Sequence, residues 1–139
     1  MVLMNHYDTP LYLIEETKGW KTADILVYWE RYVRAILTRY KGKVKYWISF
    51  NEINATIFIP YMGAGLLPDM EKEEFMQSCY QCVHYQLVTN AIAKKCAEEI
   101  EPEAQIGCMI ARFTTYPATC KPADVMQTLL DENHLSYQQ

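Results

Sequence analysis

The sequence predicts an α/β fold built from three parallel strand–helix units. Strand-like and helix-like segments alternate along the chain, with no internal repeat and no low-complexity linker between them. Such alternation argues for parallel β/α units joined by right-handed crossovers. A further observation concerns completeness. Three parallel strands leave two open edges, whereas purely parallel sheets are normally buried on both faces. The chain also opens inside a strand, so it reads as a slice of a larger parallel architecture.

Each element has a local reason. Val2–His6 has the character of a short strand end, which Asp8, Thr9 and Pro10 break. Pro10 to Thr17 is expected to form a helical turn or two before Gly19 stops it. From Thr22, taken as an N-cap, apolar residues recur at Ile25, Tyr28/Trp29, Tyr32/Val33, Ile36 and Tyr40, which predicts an amphipathic helix over Ala23–Tyr40. Lys41, Gly42 and Lys43 suit its C-terminus. Val44–Phe50 is the second strand, followed by a loop carrying Pro60, Gly63, Gly65 and Pro68. A long helix is expected from about Glu71 to Ile100, with Phe75, Cys79, Val83, Leu87, Ile92 and Cys96 as its apolar stripe and Pro102 beyond its end. Gln105–Ala111 is a third strand, and Pro122–Glu132 a shorter helix with proline near its start.

Composition limits the functional classes. The chain of 139 residues is sized like one ordinary domain, half of it apolar and 22% charged, as in soluble globular proteins. Its formal net charge of −4 is spread along the sequence, which gives no basic face for nucleic acid. No apolar run approaches the roughly 18–20 residues of a membrane span, and no secretory signal opens the chain. Five cysteines, an odd number, argue against a disulfide framework. Cys79 and Cys82 form a C-x2-C inside a helical pattern without a second pair, and Cys96, Cys108 and Cys120 lack metal-ligand spacing. Buried reduced thiols in a cytoplasmic protein are expected, with a zinc or redox module at Cys79/Cys82 as the competing reading. His84, on the long helix, is expected to be a satisfied core histidine, and Trp20, Trp29 and Trp47 to be core residues.

The chemistry concentrates in Lys45–Asn54, an apolar run that ends on Asn51 and Glu52. A parallel strand delivers its last side chains to the open end of the sheet, where substrates bind in such architectures. A carboxylate set there beside a carboxamide suits general acid/base work.

Three consecutive blocks, Asn5–Pro10, Tyr40–Trp47 and Phe50–Asn54, resemble those of the family 1 glycoside hydrolases. The later stretches Ile106–Ala111, Tyr116-Pro117 and Cys120–Met126 are similar to the bacterial 6-phospho-β-glucosidases of that family, as is Ile53-Asn54 after Asn51-Glu52. The resemblance covers essentially the whole of 1–139 and implies a partial TIM (β/α)8 barrel, its third to fifth β/α units. It also implies an activity, retaining hydrolysis of 6-phospho-β-glucosides in cytoplasmic carbohydrate metabolism, with neither metal nor other cofactor. By that resemblance Glu52 is the proton donor and later the general base. Asn51 contacts the hydroxyl next to the reacting carbon, His6 binds sugar hydroxyls, and Tyr7 occupies the place of an aromatic residue against the sugar.

One departure matters as much as the matches. Retaining hydrolysis uses two carboxyl groups about 5–5.5 Å apart. The family's nucleophile lies in a Thr/Val-Glu-Asn-Gly block that does not occur in these 139 residues. The expectation is therefore an incomplete piece, inactive alone, whose open strand edges and uncovered apolar faces promote association. A non-catalytic sugar-binding or assembly fragment of the same barrel is the alternative.

Overall fold

The computed structural model describes residues 1–133. Three parallel strands, β1 (Val2–Asn5), β2 (Tyr46–Phe50) and β3 (Gln105–Gly107), form one sheet in the order β1-β2-β3. Helix α1 (Leu11–Thr17), a 3-10 turn (Gly19–Lys21) and α2 (Ile25–Arg39) connect the first two strands. A 3-10 helix (Ile53–Ile57), α3 (Pro60–Ala64) and α4 (Lys72–Ile100) connect the second and third, and α5 (Pro122–Glu132) follows. Among the described residues no helix is long and apolar enough to cross a membrane.

The register puts Val2 beside Trp47 and Trp47 beside Ile106, and in the next row Leu3 beside Ile48 and Ile48 beside Gly107. Side chains alternate across a strand, so these two rows lie on opposite faces. Trp47 is buried in the core with Met4, and Ile106 packs against it. Helix α2 supplies Ile25, Trp29, Val33 and Leu37 at a spacing of four, all buried. Helix α4 packs beside it, and the Trp29 indole N–H reaches the carbonyl of Thr89 on α4 at 2.9 Å. All three tryptophans are buried, as the sequence suggested.

Phe50 is the centre of the aromatic core. Its ring stacks on Trp29 (centroids 4.6 Å apart, 17°) and meets the edge of Trp20 (5.0 Å, 82°). This trio fixes the last residue of β2, immediately before Asn51 and Glu52. Gly19 lets the first connection pass close by. Its φ is +64°, and a Cβ there would stand 2.2 Å from the carbonyl oxygen of Ala64, so only glycine fits.

Several expectations are corrected. Thr22 does not cap α2; its hydroxyl donates to the Thr17 carbonyl at 2.9 Å, and the helix begins at Ile25. The loop after β2 is largely helical over 53–64, and it is tied to α4 by buried polar groups. The Thr56 hydroxyl donates to the Gln86 side-chain carbonyl at 3.0 Å, and the Gln86 amide donates to the Gly63 carbonyl at 2.7 Å.

The buried face of α4 is Ser78, Cys79, Cys82, Gln86, Thr89, Ala93, Cys96 and Ala97, whereas Leu87 is exposed. Successive steps of four drift round a helix by roughly 40° each, so a stripe begun at Phe75 has turned about 120° by Leu87. His84 is likewise exposed. Of the thiols, Cys79, Cys82 and Cys96 are buried, but Cys108 is half-buried and Cys120 exposed.

The third strand is only three residues long. Its partner changes course at Glu52, so Cys108–Ala111 has no regular ladder to join. Single bonds hold it instead: Met109 N–H to the Phe50 carbonyl (3.0 Å) and Ile53 N–H to the Met109 carbonyl (2.9 Å). Finally, α5 buries none of its residues, and Met126, Leu129 and Leu130 are more than half exposed.

Candidate active site

His6 and Tyr7 follow β1, and Asn51 and Glu52 follow β2. The two strands are adjacent and parallel, so all four residues gather at the same end of the sheet. Around Tyr7 the chain is pinned on both sides. The His6 N–H donates to Asp8 Oδ1 at 2.8 Å, and the buried Trp20 indole donates to the Thr9 hydroxyl at 3.0 Å. Around Glu52, the Asn51 N–H donates to the Asn5 carbonyl at 3.1 Å, and the Ala55 N–H to the Glu52 carbonyl at 2.7 Å.

Asn54 closes the arrangement. Its side-chain amide donates to the Ala111 carbonyl at 2.9 Å, while its side-chain carbonyl accepts the Ala111 N–H at 2.8 Å. One carboxamide thus continues the pairing between the ends of β2 and β3 where the backbone ladder has stopped.

Tyr7 (φ +63°) and Glu52 (φ +40°) both adopt the left-handed conformation. For bulky L-residues this costs on the order of 1 kcal/mol each. The surrounding bonds hold both in place, and the result is a contact between two strands: the Tyr7 hydroxyl donates to Glu52 Oε2 at 2.7 Å. Both side chains are half-buried, and the exposed ring of His6 lies against Tyr7 with centroids 5.5 Å apart. Burial, then the hydrogen bond and charge of Glu52, push the Tyr7 hydroxyl above its ordinary value of 10, with the Asn51 side chain acting the other way.

Glu52 also lines a cavity of about 390 Å³ with Ala55, Phe58, Ile59 and Phe113. The rings of Phe58 and Phe113 meet edge to face, 6.5 Å apart. Apart from Glu52, these wall residues escaped the sequence reading, which took the chain beyond Asn54 as a loop and assigned no role to Phe113. The aromatic residues Phe58 and Phe113, each shortly past a strand end, were the available signal. A larger cleft of about 780 Å³ lies elsewhere, between α1 and the 65–71 segment, where Lys21 is already paired with Glu74 at 2.9 Å. None of the four candidate residues lines it.

The residues weighed for metal chemistry are dispersed. Cys79 and Cys82 are buried on α4 while His84 is exposed, and burial pushes the Cys82 thiol up to about 12. Among the described residues no group of three or more His, Cys, Asp or Glu side chains could hold a metal ion.

Parallel strands with helices packed on them, and polar side chains gathered at their C-terminal ends, define a segment of a (β/α)8 barrel. Solved structures agree: a family 1 β-glucosidase from Thermotoga maritima superposes with a TM-score of 0.73 at 22% identity, over 97% of this chain and 30% of that one. A β-glycosidase from Pyrococcus horikoshii does so with a TM-score of 0.68 at 21% identity, over 99% of this chain and 30% of that one. Residues 1–138 match glycosyl hydrolase family 1, and the chain belongs to that family.

Among its relatives, a 6-phospho-beta-glucosidase of Clostridium longisporum is 46% identical over 129 residues, 93% of this chain and 27% of that protein. The aryl-phospho-beta-D-glucosidase BglH of Bacillus subtilis is 42% identical over 132 residues, 95% of this chain and 28% of that protein. The chain therefore spans about a quarter of the length of these relatives.

Proposed function

We propose that this chain supplies the proton-donor half of a retaining β-glycosidase acting on 6-phospho-β-glucosides. The observation that carries the reading is the placement of Glu52. It stands two residues past the end of β2, its carboxylate is bound by Tyr7, and it borders a cavity. Protonated Glu52 would donate to the glycosidic oxygen as the leaving group departs. Ionised, it would then draw a proton from the water that attacks the glycosyl–enzyme. Asn51 and His6 would hold sugar hydroxyls beside it, and Tyr7 would complete the wall.

The leaving group must lie next to its proton donor. The cavity wall of Phe58, Ile59 and Phe113 is apolar, which suits an aromatic or otherwise apolar aglycone. A phosphorylated sugar is supported by the relatives, whose names specify phospho-β-glucosidases. The odd number of cysteines and the free thiols fit a reducing compartment, and we place the chain in the cytoplasm. The attacking carboxylate is assigned to a portion of the barrel outside these 139 residues, which we take as one incomplete barrel segment. The apolar face of α5 and the outer strand edges are proposed to drive self-association of the isolated chain, checked by sedimentation at several concentrations.

The test is a chimera in which this chain replaces the equivalent segment of the Clostridium longisporum relative. It should hydrolyse an aryl 6-phospho-β-glucoside far faster than the unphosphorylated glucoside, whereas the isolated chain should hydrolyse neither. Glu52-dependent turnover by the isolated chain, or equal rates on the two substrates, would overturn the reading.

A further inference from the structure

Among the described residues, three that are not glycine have positive φ: Tyr7, Lys18 and Glu52. Lys18 has a local reason, since it closes α1 and its N–H bonds to the Leu13 carbonyl. Tyr7 and Glu52 close no helix, although Glu52 precedes the 3-10 helix Ile53–Ile57; they stand just past the ends of adjacent strands and are joined by a 2.7 Å hydrogen bond between residues 45 positions apart. Two left-handed residues that meet side chain to side chain over such a separation point to a constraint on the side chains themselves.

We propose that Tyr7 is a positioning residue for Glu52: its hydroxyl holds Oε2 as an acceptor and thereby leaves Oε1 to carry the proton that is transferred. This rests on the reading of Glu52 as proton donor. The chemistry follows from what each group can offer. A carboxylic acid bears its proton on one oxygen and accepts on the other. While Tyr7 donates to Oε2, the acid proton resides on Oε1. When that proton passes to the glycosidic oxygen, the C–O bond to the leaving group breaks and the pair of electrons stays with the departing oxygen. Glu52 becomes a carboxylate, and Tyr7 keeps its own proton throughout. The raised Tyr7 ionisation keeps the hydroxyl a donor in both states. The tyrosine hydroxyl, rather than only its ring, is then the working part of this position, and a phenylalanine in its place would leave the two carboxyl oxygens without this distinction.

The experiment is a pH titration of the full chain labelled with 13Cζ-tyrosine, followed by NMR. The Tyr7 resonance is assigned by its loss in Tyr7→Phe. In the wild-type chain Tyr7 should ionise above its ordinary value, and its resonance should also move in the acid range, as the neighbouring carboxylate takes up a proton. In Glu52→Gln the alkaline midpoint should fall and the acid deflection should vanish. A Tyr7 curve that is the same in both chains would overturn the proposal. Should Glu52→Gln not fold, the acid deflection of the wild-type Tyr7 decides alone, and its absence counts against the proposal. This measurement needs no turnover, so it separates from the proposed function: loss of the phosphorylated-substrate preference in the chimera would leave the Tyr7–Glu52 coupling standing, and the converse holds.

Discussion

Phe50→Ala is the substitution whose cost the structure specifies best. The ring is 1% exposed, stacks on Trp29 and meets Trp20 edge-on. Returning a buried phenylalanine to water forfeits about 2–3 kcal/mol of transfer energy. The void left behind adds a further cavity penalty, because rigid indole neighbours collapse poorly into it; roughly 100 Å³ at 24 cal/mol per Å³ gives about 2 kcal/mol more. A loss of about 4 kcal/mol is expected, a large share of the 5–15 kcal/mol available to a domain of this size. Urea unfolding followed by tryptophan fluorescence and, independently, by far-UV circular dichroism measures it. Phe58→Ala is the matched control, since that ring is 49% exposed and should cost about 1 kcal/mol or less. Equal shifts for the two variants, or a Phe50→Ala loss below about 1 kcal/mol, would refute the claim that the aromatic trio fixes the end of β2.

Other variants probe separate parts of the account. Gly19→Ala combines a left-handed backbone with a Cβ placed 2.2 Å from the Ala64 carbonyl oxygen, so a loss of about 3 kcal/mol or outright misfolding is expected in the same unfolding assay. Asn54→Ala removes both bonds to Ala111 and leaves that part-buried backbone pair without this partner; a loss of about 2 kcal/mol should appear, with faster amide exchange at Ala111. Cys82 is held as the thiol, its folded value raised to about 12 from 9, so its contribution is complete below pH 9 and is lost as pH rises toward about 12. Thermal melts between those limits should show the wild-type chain losing stability, by an amount on the order of 4 kcal/mol at most, with Cys82→Ala flatter over the same window.

How much of this was legible in the sequence depends on which physical signal carried each element. On α2 apolar periodicity reports burial directly at Ile25, Trp29 and Val33, and the tryptophans declare themselves in the same way, but the buried Leu37 was passed over for the half-buried Ile36 and for Tyr40, which is exposed. Gln86 does not. It is 1% exposed, yet its polarity hides it from any count of apolar residues, and only the fold supplies Thr56 and Gly63 as partners. The helices within 53–64 were obscured by Pro60, Gly63 and Gly65, which look like loop punctuation but serve as the start, a close contact with Thr56, and the left-handed cap of α3. At the candidate site, Asn51, Glu52, His6 and Tyr7 were readable as residues that follow strands. Their meeting through a hydroxyl–carboxylate bond was not, because it depends on two left-handed conformations that no propensity favours for Tyr or Glu. The cavity wall was equally hidden, since Phe58 and Phe113 come together only when the ends of β2 and β3 are paired.

The central claim, that Glu52 delivers the proton to the departing group, is tested most directly by leaving-group dependence in the chimeric barrel. Comparing the unsubstituted and Glu52→Gln forms on 6-phospho-β-glucosides of graded leaving-group acidity, the variant should be slowed by about 10²–10⁴ on poor, alkyl leaving groups and hardly at all in the first step with a dinitrophenyl group. A uniform loss across the series, or none, would contradict it.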